Sequence, residues 1–223
     1  MNAEAGRADK ASPEREWWLR TLGIFLSPGA VFAALRDESD EQAQARQEPV
    51  LAIVILAGIS AVLLAPSTGR LLDQELVDNS LAVLAVLVFL TGAIYGTATY
   101  WIGGAALYVA LKGTGSEGSY RRARHILAFA AAPLVLGLVL VWPIRLAVQG
   151  SDLFRSGGSD TGATSTVFQV LLGLFAAWSL GLLVYGISVV ERWTYLRAVV
   201  SLALMLLGIL IVTLPFLIPL SSR

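Results

Sequence analysis

Five long apolar segments account for roughly half of the chain, and they restrict its fold more than any other feature. They comprise residues 50–66, 81–111, 126–148, 167–190 and 198–220. An α-helix needs roughly 17 to 25 residues to cross about 30 Å of hydrocarbon, where only helices and closed barrels satisfy their backbone hydrogen bonds. Barrel strands alternate between apolar and polar residues, whereas these segments are apolar throughout. The pattern predicts an all-α membrane protein with five transmembrane helices.

The composition excludes several classes of function. The 16 basic and 16 acidic residues cancel, so no net charge favours a nucleic-acid partner. The chain has no cysteine and one histidine, His125, so we expect no thiolate nucleophile, no metal site and no cofactor. The interiors of the apolar segments carry no charged residue, and neither a His-Glu-x-x-His motif nor a nucleophile elbow occurs. These features predict a non-enzymatic protein.

The basic residues predict the orientation, because loops rich in lysine and arginine stay on the cytoplasmic side of a membrane. They concentrate before the first segment and in every second connection. This set comprises Arg36, Arg46, Lys112, Arg121, Arg122, Arg124, Arg192 and Arg197. The charged, polar residues 1–16 do not resemble a cleavable signal peptide. We therefore predict a multi-pass protein of the inner membrane with a cytoplasmic N-terminus and an external C-terminus.

The region before the first apolar segment has a different character. We expect residues 1–11 to be disordered, residues 12–48 to form a cytoplasmic amphipathic helical segment with a polar connector, and residues 49–223 to form the transmembrane domain. Ser12-Pro13-Glu14 is typical of a helix start. An amphipathic helix with the Trp17-Trp18 pair suits the lipid headgroup zone. Alternatively, it packs against the cytoplasmic ends of the transmembrane helices.

Glycine and proline predict where the long helices depart from straight geometry. The second segment has about 30 residues and would extend roughly 45 Å as a helix, well beyond the hydrocarbon layer. Gly103-Gly104 is its predicted bend, since each glycine costs about 1 kcal/mol in a helix interior. Pro133 predicts a kink in helix three, which we expect to end near Trp142-Pro143.

A basic cluster at the start of helix three is the main candidate site. It consists of Arg121, Arg122, Arg124 and His125. Each basic residue near an anionic membrane surface contributes about 1 kcal/mol to binding, so the cluster suits anionic lipid headgroups. Alternatively, it only fixes the orientation of the helix. With Trp17 and Trp18, these four residues are our predicted contacts to partners or lipids.

Three stretches together resemble a known family. They are residues 25–32 (FLSPGAVF), residues 118–134, which end in FAAAPL, and residues 178–198. The combination resembles the Yip-domain integral membrane proteins, and in particular their bacterial members. The resemblance spans residues 22–220 and implies five membrane helices with a cytoplasmic N-terminus. Eukaryotic members are associated with Rab GTPases, but their Asp-Leu-Tyr-Gly-Pro segment is replaced here by Glu48-Pro49, so the resemblance implies no Rab partner.

Three classes of function follow as hypotheses. The leading one is a scaffold or adaptor whose partners are membrane lipids, another membrane protein or a second copy of the chain. The alternative is a transport component for small solutes or lipids, with Tyr100, Pro133 and Arg145 lining a path between helices two and three. A buried, water-accessible cavity reaching the middle of the membrane would favour transport, and a tightly packed bundle would favour the scaffold. The third class, a lipid-modifying enzyme, needs an acid or base at membrane depth that the sequence does not supply.

Overall fold

A computed structural model of the chain describes residues 13–64, 81–150 and 162–217. These residues are largely helical and contain no strand. The predicted disorder of residues 1–11, the predicted N-cap Ser12, the two loops predicted to be external and the last six residues lie outside the described ranges.

The described helices are numbered here in chain order. They are α1 (Pro13–Gly23), α2 (Pro28–Ala34), α3 (Asp40–Ala45), α4 (Gln47–Leu64), α5 (Leu81–Ala98), α6 (Gly104–Gly113), α7 (Tyr120–Ala130), α8 (Ala132–Gln149), α9 (Ala163–Glu191) and α10 (Tyr195–Leu217). A π-helical segment, Thr99–Gly103, joins α5 to α6. Five stretches are long and apolar enough to cross a membrane: Asp40–Leu64, Ala85–Gly113, Tyr120–Gln149, Ala163–Glu191 and Tyr195–Thr213. The prediction of five transmembrane helices is confirmed.

Helices two and three depart from straight α-helix close to the predicted places. The second crossing changes to π-helix at Thr99–Gly103 and continues without a gap into α6. The third crossing breaks at Ala131, since Pro133 lies in the first turn of α8, where its missing donor costs no helical hydrogen bond. The predicted end near Trp142-Pro143 is wrong. The helix runs through Pro143 to Gln149, because a proline inside a membrane helix is tolerated where neighbouring groups satisfy the freed carbonyl.

The five crossings pack side by side with an apolar outer surface. The helix α4 lies against α5 and α8, α9 against α8 and α10, and α10 also against α6. Large apolar side chains such as Ile94, Val170 and Leu210 remain exposed on the outside of the bundle. In a soluble protein such a surface would aggregate, whereas lipid tails are a suitable solvent for it. The exposed face therefore fits a bilayer.

Three glycines allow α4 and α5 to approach until their backbones touch. A Cβ atom on Gly58 would lie 2.6 Å from the Cα and N atoms of Gly96. One on Gly92 would lie 2.6 Å from the Cα of Ile59, and one on Gly96 would meet the carbonyl oxygen of Val54. Small residues at such a crossing replace side-chain packing by direct backbone contact. Helices one and two therefore form a tight pair.

The helices α1 to α3 form a cap on one end of the bundle. Its buried apolar side chains belong to the same hydrophobic core as α7 and α9, and they include Trp17, Ile24, Phe32 and Leu35. This end also carries the 114–119 loop and the 192–194 turn, and we call it the basic end. Residues 13–48 are thus mostly helical, and they share their core with the transmembrane helices.

The predicted orientation can be tested directly, because the chain contains no cysteine. We expect Glu117→Cys and Thr194→Cys, both exposed at the basic end, to be shielded from an impermeant thiol reagent in intact cells. Thr164→Cys, exposed at the opposite end, should react. Glu117 is preferred to Ser116, which is buried and donates a hydrogen bond to Glu191. Labelling of Glu117→Cys from outside would contradict a cytoplasmic basic end.

Candidate functional site

The two adjacent tryptophans of α1 have opposite environments. Trp17 is 1% exposed, packs against Phe129 with ring centroids 5.9 Å apart, and donates a hydrogen bond of 2.9 Å to Gln42. Trp18 is 42% exposed, and Leu22 beside it is also exposed. The packing against the bundle that the sequence offered as the alternative applies to Trp17. The contact of Trp18 with the headgroup zone stays a prediction, for a side chain that is exposed on the cap.

Two arginines of the basic end close the C-terminal ends of helices. The last carbonyls of a helix lack intrahelical donors, and arginine satisfies them while complementing the negative end of the helix dipole. Arg36 donates from Nε to the carbonyl of Val190, at 3.3 Å, and from Nη2 to Val189. Arg197 donates from Nε to the carbonyl of Thr114, at 3.0 Å. Charges that the sequence suggested as orientation signals therefore also hold the end of the bundle together.

Two arginines of the predicted cluster pair with carboxylates of the cap region. Arg122 lies 3.1 Å from Glu38 and donates to the carbonyl of Arg36, at 3.3 Å. Arg121 lies 3.1 Å from Asp40, but both side chains are exposed, so the pair contributes little to stability. Both charges are thus balanced by acidic residues that precede α4.

Arg46 and His125 form a buried pair behind the cluster. Arg46 is fully buried, and its Nε donates to His125 Nδ1 at 2.9 Å, while Nη1 donates to the carbonyl of Asp37 at 2.8 Å. Arginine has no acceptor, so Nδ1 of His125 must be unprotonated and the ring neutral, with its proton on Nε2. His125 is 5% exposed, and Nε2 makes no hydrogen bond to the residues that the structure describes.

Arg124 is surrounded by aromatic rings. Its guanidinium carbon lies 3.8 Å from the ring centroid of Trp101, 4.6 Å from that of Tyr120 and 5.0 Å from that of Tyr100. Within residues 13–64, 81–150 and 162–217 it has no hydrogen bond and no carboxylate partner, and its Nε is buried. Cation–π contacts stabilise the charge without using its N–H donors. Arg124 therefore differs from Arg121 and Arg122, since its donors remain available.

The π-helical segment and Gly104 bring these aromatic rings to Arg124. The segment carries both Tyr100 and Trp101, and single π turns inside helices are frequent at functional sites. A Cβ on Gly104 would lie 3.2 Å from the Cβ of Arg124 and 3.3 Å from its Cα. The glycine predicted as a bend thus permits close approach of the second crossing to α7.

A polar pocket of about 440 Å³ lies at this point. Its polar and aromatic lining consists of Asp40, Gln44, Gln47, Tyr100, Trp101, Arg121, Arg124 and His125. The volume falls within the usual range for small-molecule sites, roughly 300 to 1,000 Å³. Three of the four predicted cluster residues line the pocket, whereas Arg122 does not.

An apolar groove of about 390 Å³ adjoins the polar pocket through Tyr100, which lines both. It lies between α4, α5, α7 and α9, and eight of its seventeen lining residues are alanine or glycine, such as Ala57, Gly96 and Ala176. None of these seventeen residues is charged. The groove exists because small side chains leave space between the helices, and its walls suit a hydrocarbon better than water.

The three residues predicted to line a transport path are not brought together. Tyr100 lines both cavities, but Pro133 is buried in the first turn of α8 and lines neither. Arg145 is buried at the opposite end of the same helix, where it donates to Gln149 at 2.9 Å and lies 4.9 Å from the ring centroid of Trp142. The groove between the helices is apolar, so it matches neither a water-filled path nor a tightly packed bundle.

Sequence reasoning missed Arg46, Asp40 and Trp101 as parts of this site. All three are brought together by the break between α3 and α4 and by the π-helical segment. A polar connector and a π turn have no distinct periodicity, so the pattern did not indicate them. One available signal was Arg46 itself, a charged residue only four positions before the apolar run starting at Val50.

Comparison with known proteins gives one family. The model of the Yip1 domain matches residues 22–217, which is most of the chain and includes the cap from late α1 onward. No curated protein and no solved structure matches the chain.

Proposed function

Because this chain belongs to the Yip1 domain family and is a multi-pass membrane protein, we propose that it is a non-enzymatic scaffold or adaptor. It gathers lipids or partner proteins at the basic end of its helix bundle. We further propose that it lies in the inner membrane with this end in the cytoplasm. The proposal agrees with the resemblance of the three sequence stretches to bacterial Yip-domain proteins.

The observation that carries the proposal is the polar pocket with Arg124 in its wall. Arg36 caps a helix and Arg122 pairs with a carboxylate, whereas Arg124 is held by rings and makes no hydrogen bond to the described residues. A preformed, partly desolvated cation beside a cavity is an arrangement suited to recognition.

A scaffold role is favoured over catalysis by the chemistry of the pocket. Among the described residues that line it, Asp40 is the one carboxylate, and its side chain is 97% exposed and paired with Arg121. A general base needs a free lone pair on a tuned group, whereas Nδ1 of His125 already accepts from Arg46. Among the described residues, no group of three His, Cys, Asp or Glu side chains is placed to hold a metal ion.

A second candidate function is a lipid transport component. The apolar groove favours it, because the groove lies between four membrane helices that include helices two and three. Transport would also need a polar route for the headgroup across the membrane. Among the described residues, the polar lining adjoins one end of the groove, which favours binding over passage.

Site-specific crosslinking tests the scaffold proposal. A photoreactive amino acid in place of Trp18, exposed on the cap, should give discrete adducts of reproducible mass in native membranes. The same residue in place of Leu210, exposed on α10, serves as the control and should give only lipid adducts of mixed composition. Equal adduct patterns at both positions would contradict a basic-end scaffold.

The transport alternative has its own measurement. Vesicles containing the purified protein and a fluorescent phospholipid should show no faster exchange of that lipid between leaflets than protein-free vesicles. If the protein accelerates this exchange, the scaffold proposal is wrong and the protein is a transport component.

A further inference from the structure

We propose that the polar pocket and the apolar groove together bind one anionic phospholipid. Its phosphate contacts Arg124 and His125, and one of its acyl chains enters the groove. The inference rests on the proposed function and deepens it, because it names the class of molecule that the basic end holds.

The charges at the start of α7 indicate an anionic occupant. Arg121, Arg122 and Arg124 lie in the first turns of this helix, which has no acidic residue there, although the dipole at a helix start favours negative charge. Asp40 and Glu38 balance the first two arginines. The third has no carboxylate partner in the described part of the chain. An occupant with one negative charge beside Arg124 would balance the third arginine as Asp40 and Glu38 balance the other two.

The donors at the pocket suit phosphate oxygens. Arg124 carries N–H groups that its aromatic neighbours do not use, and His125 has its remaining proton on Nε2 because Nδ1 accepts from Arg46. His125 is 5% exposed and lines the pocket, and its Nε2–H makes no hydrogen bond to the described residues. A phosphate accepts hydrogen bonds from both an arginine and an imidazole. A neutral headgroup without an oxyanion would leave the charge of Arg124 unbalanced.

The pocket and the groove follow each other along three helices. On α4 the lining passes from Gln47 in the pocket to Val54 and Ala61 in the groove, and on α7 from Arg124 to Ala128. On the second crossing Tyr100 lines both. Between Val54 and Ala61 the groove extends about 10 Å along the helix axis. The polar pocket followed by the apolar groove therefore matches a phospholipid, whose polar headgroup is followed by an apolar chain.

The physics of the bilayer assigns selectivity to the headgroup. An acyl chain already lies in hydrocarbon, so its entry into the groove gains close packing against the helices but no hydrophobic free energy. Acidic and zwitterionic phospholipids both offer a phosphate to the pocket, so the pocket distinguishes them by the choline cation, which Arg121 and Arg124 repel. We expect a preference by headgroup charge and little preference by chain type.

Lipid titration of the purified full-length chain tests the proposal. In mild detergent, native mass spectrometry should detect one phosphatidylglycerol per chain, with phosphatidylcholine bound at least about tenfold more weakly, because its choline cation would lie beside Arg121 and Arg124. Inorganic phosphate is the probe for a free-anion site. If it displaces phosphatidylglycerol at millimolar concentration, the pocket recognises the anion alone and the lipid assignment is wrong.

Two variants address the two halves of the site. Arg124→Gln should weaken phosphatidylglycerol binding by about 10- to 100-fold. The control is Arg192→Gln, which should leave binding unchanged, because Arg192 is exposed at the same end and lies outside the pocket. Ala176→Phe narrows the groove far from the pocket and should weaken the lipid without changing any effect of inorganic phosphate. Thermal unfolding measured without lipid shows whether either variant fails to fold. If one of Arg124→Gln and Ala176→Phe does, lipid binding by the other tests the proposal.

The outcomes separate this inference from the proposed function. If Arg124→Gln binds phosphatidylglycerol as wild type, or phosphatidylcholine binds equally well, the lipid site is wrong. Discrete crosslinks at Trp18 would then still support a scaffold for protein partners. If no discrete crosslinks form at Trp18 while phosphatidylglycerol still binds, the scaffold proposal is contradicted and the lipid site stands.

Discussion

Replacing Trp17 by alanine is expected to cost about 3 to 5 kcal/mol, the usual range for removing a buried tryptophan. The side chain is 1% exposed, packs on Phe129 and donates to Gln42 at 2.9 Å. Its loss leaves a cavity between the cap and α7 and an unpaired amide oxygen on α3. We expect the temperature at which the protein leaves its monodisperse size-exclusion peak to fall sharply, and the cap to become sensitive to protease.

The neighbouring tryptophan provides a matched control. Trp18→Ala removes the same side chain one position later, but from a surface where 42% of it is exposed. We expect little change in thermal stability in detergent and weaker association of the cap with bilayers. Equal losses of stability for the two variants would contradict the inward packing of Trp17.

Adding a single methyl group at Gly58 is the second change for which we expect a large effect. In Gly58→Ala the new Cβ would lie 2.6 Å from two backbone atoms of Gly96, and neither backbone can yield without separating α4 from α5. Overpacking typically lowers the free energy of unfolding by about 1 to 3 kcal/mol, and we expect a backbone clash to lie near the upper end of that range. The gain in helix propensity from glycine to alanine, about 1 kcal/mol, offsets only part of it. Thermal unfolding in detergent measures the difference.

Two other glycines separate the clash from the general effect of the substitution. A Cβ at Gly173 or at Gly181 on α9 meets no atom within 4 Å. We expect Gly173→Ala and Gly181→Ala to be neutral or slightly stabilising. A Gly58→Ala variant as stable as these two would mean that the α4–α5 crossing is looser than its backbone contacts imply.

The number and type of the helices could be predicted because the bilayer imposes them. An apolar run of about 20 residues has few other stable conformations in lipid. The irregularity near Gly103 was also visible, since glycine is rare in helix interiors unless space or bending requires it. The predicted helix end at Trp142-Pro143 is wrong. A proline usually breaks a helix in water, but a membrane helix continues through it where neighbouring groups satisfy the freed carbonyl.

The site was predicted only in part, since its residues come from elements far apart in sequence. Arg121, Arg124 and His125 were identified from one short stretch, but nothing in that stretch distinguishes Arg124, which has aromatic neighbours, from Arg122, which pairs with Glu38. That difference depends on contacts between distant parts of the chain, such as Arg46 and His125, which are 79 positions apart, and on how the π turn directs its rings. Helical periodicity reports which residues share a face, and it is silent about which faces meet.

The hydrogen bonds from Arg36 to the end of α9 have a consequence for biosynthesis. The donor and its acceptors are separated by 153 and 154 positions, so the cap emerges from the ribosome long before the helix that it closes. Chains grow N-terminus first, and contacts between distant residues form late. Until the fourth crossing is inserted, Phe32 lacks Tyr185, the ring on α9 against which it packs, and the membrane surface is the nearest apolar phase available to it. The cap is therefore made well before the helix end that holds it in place.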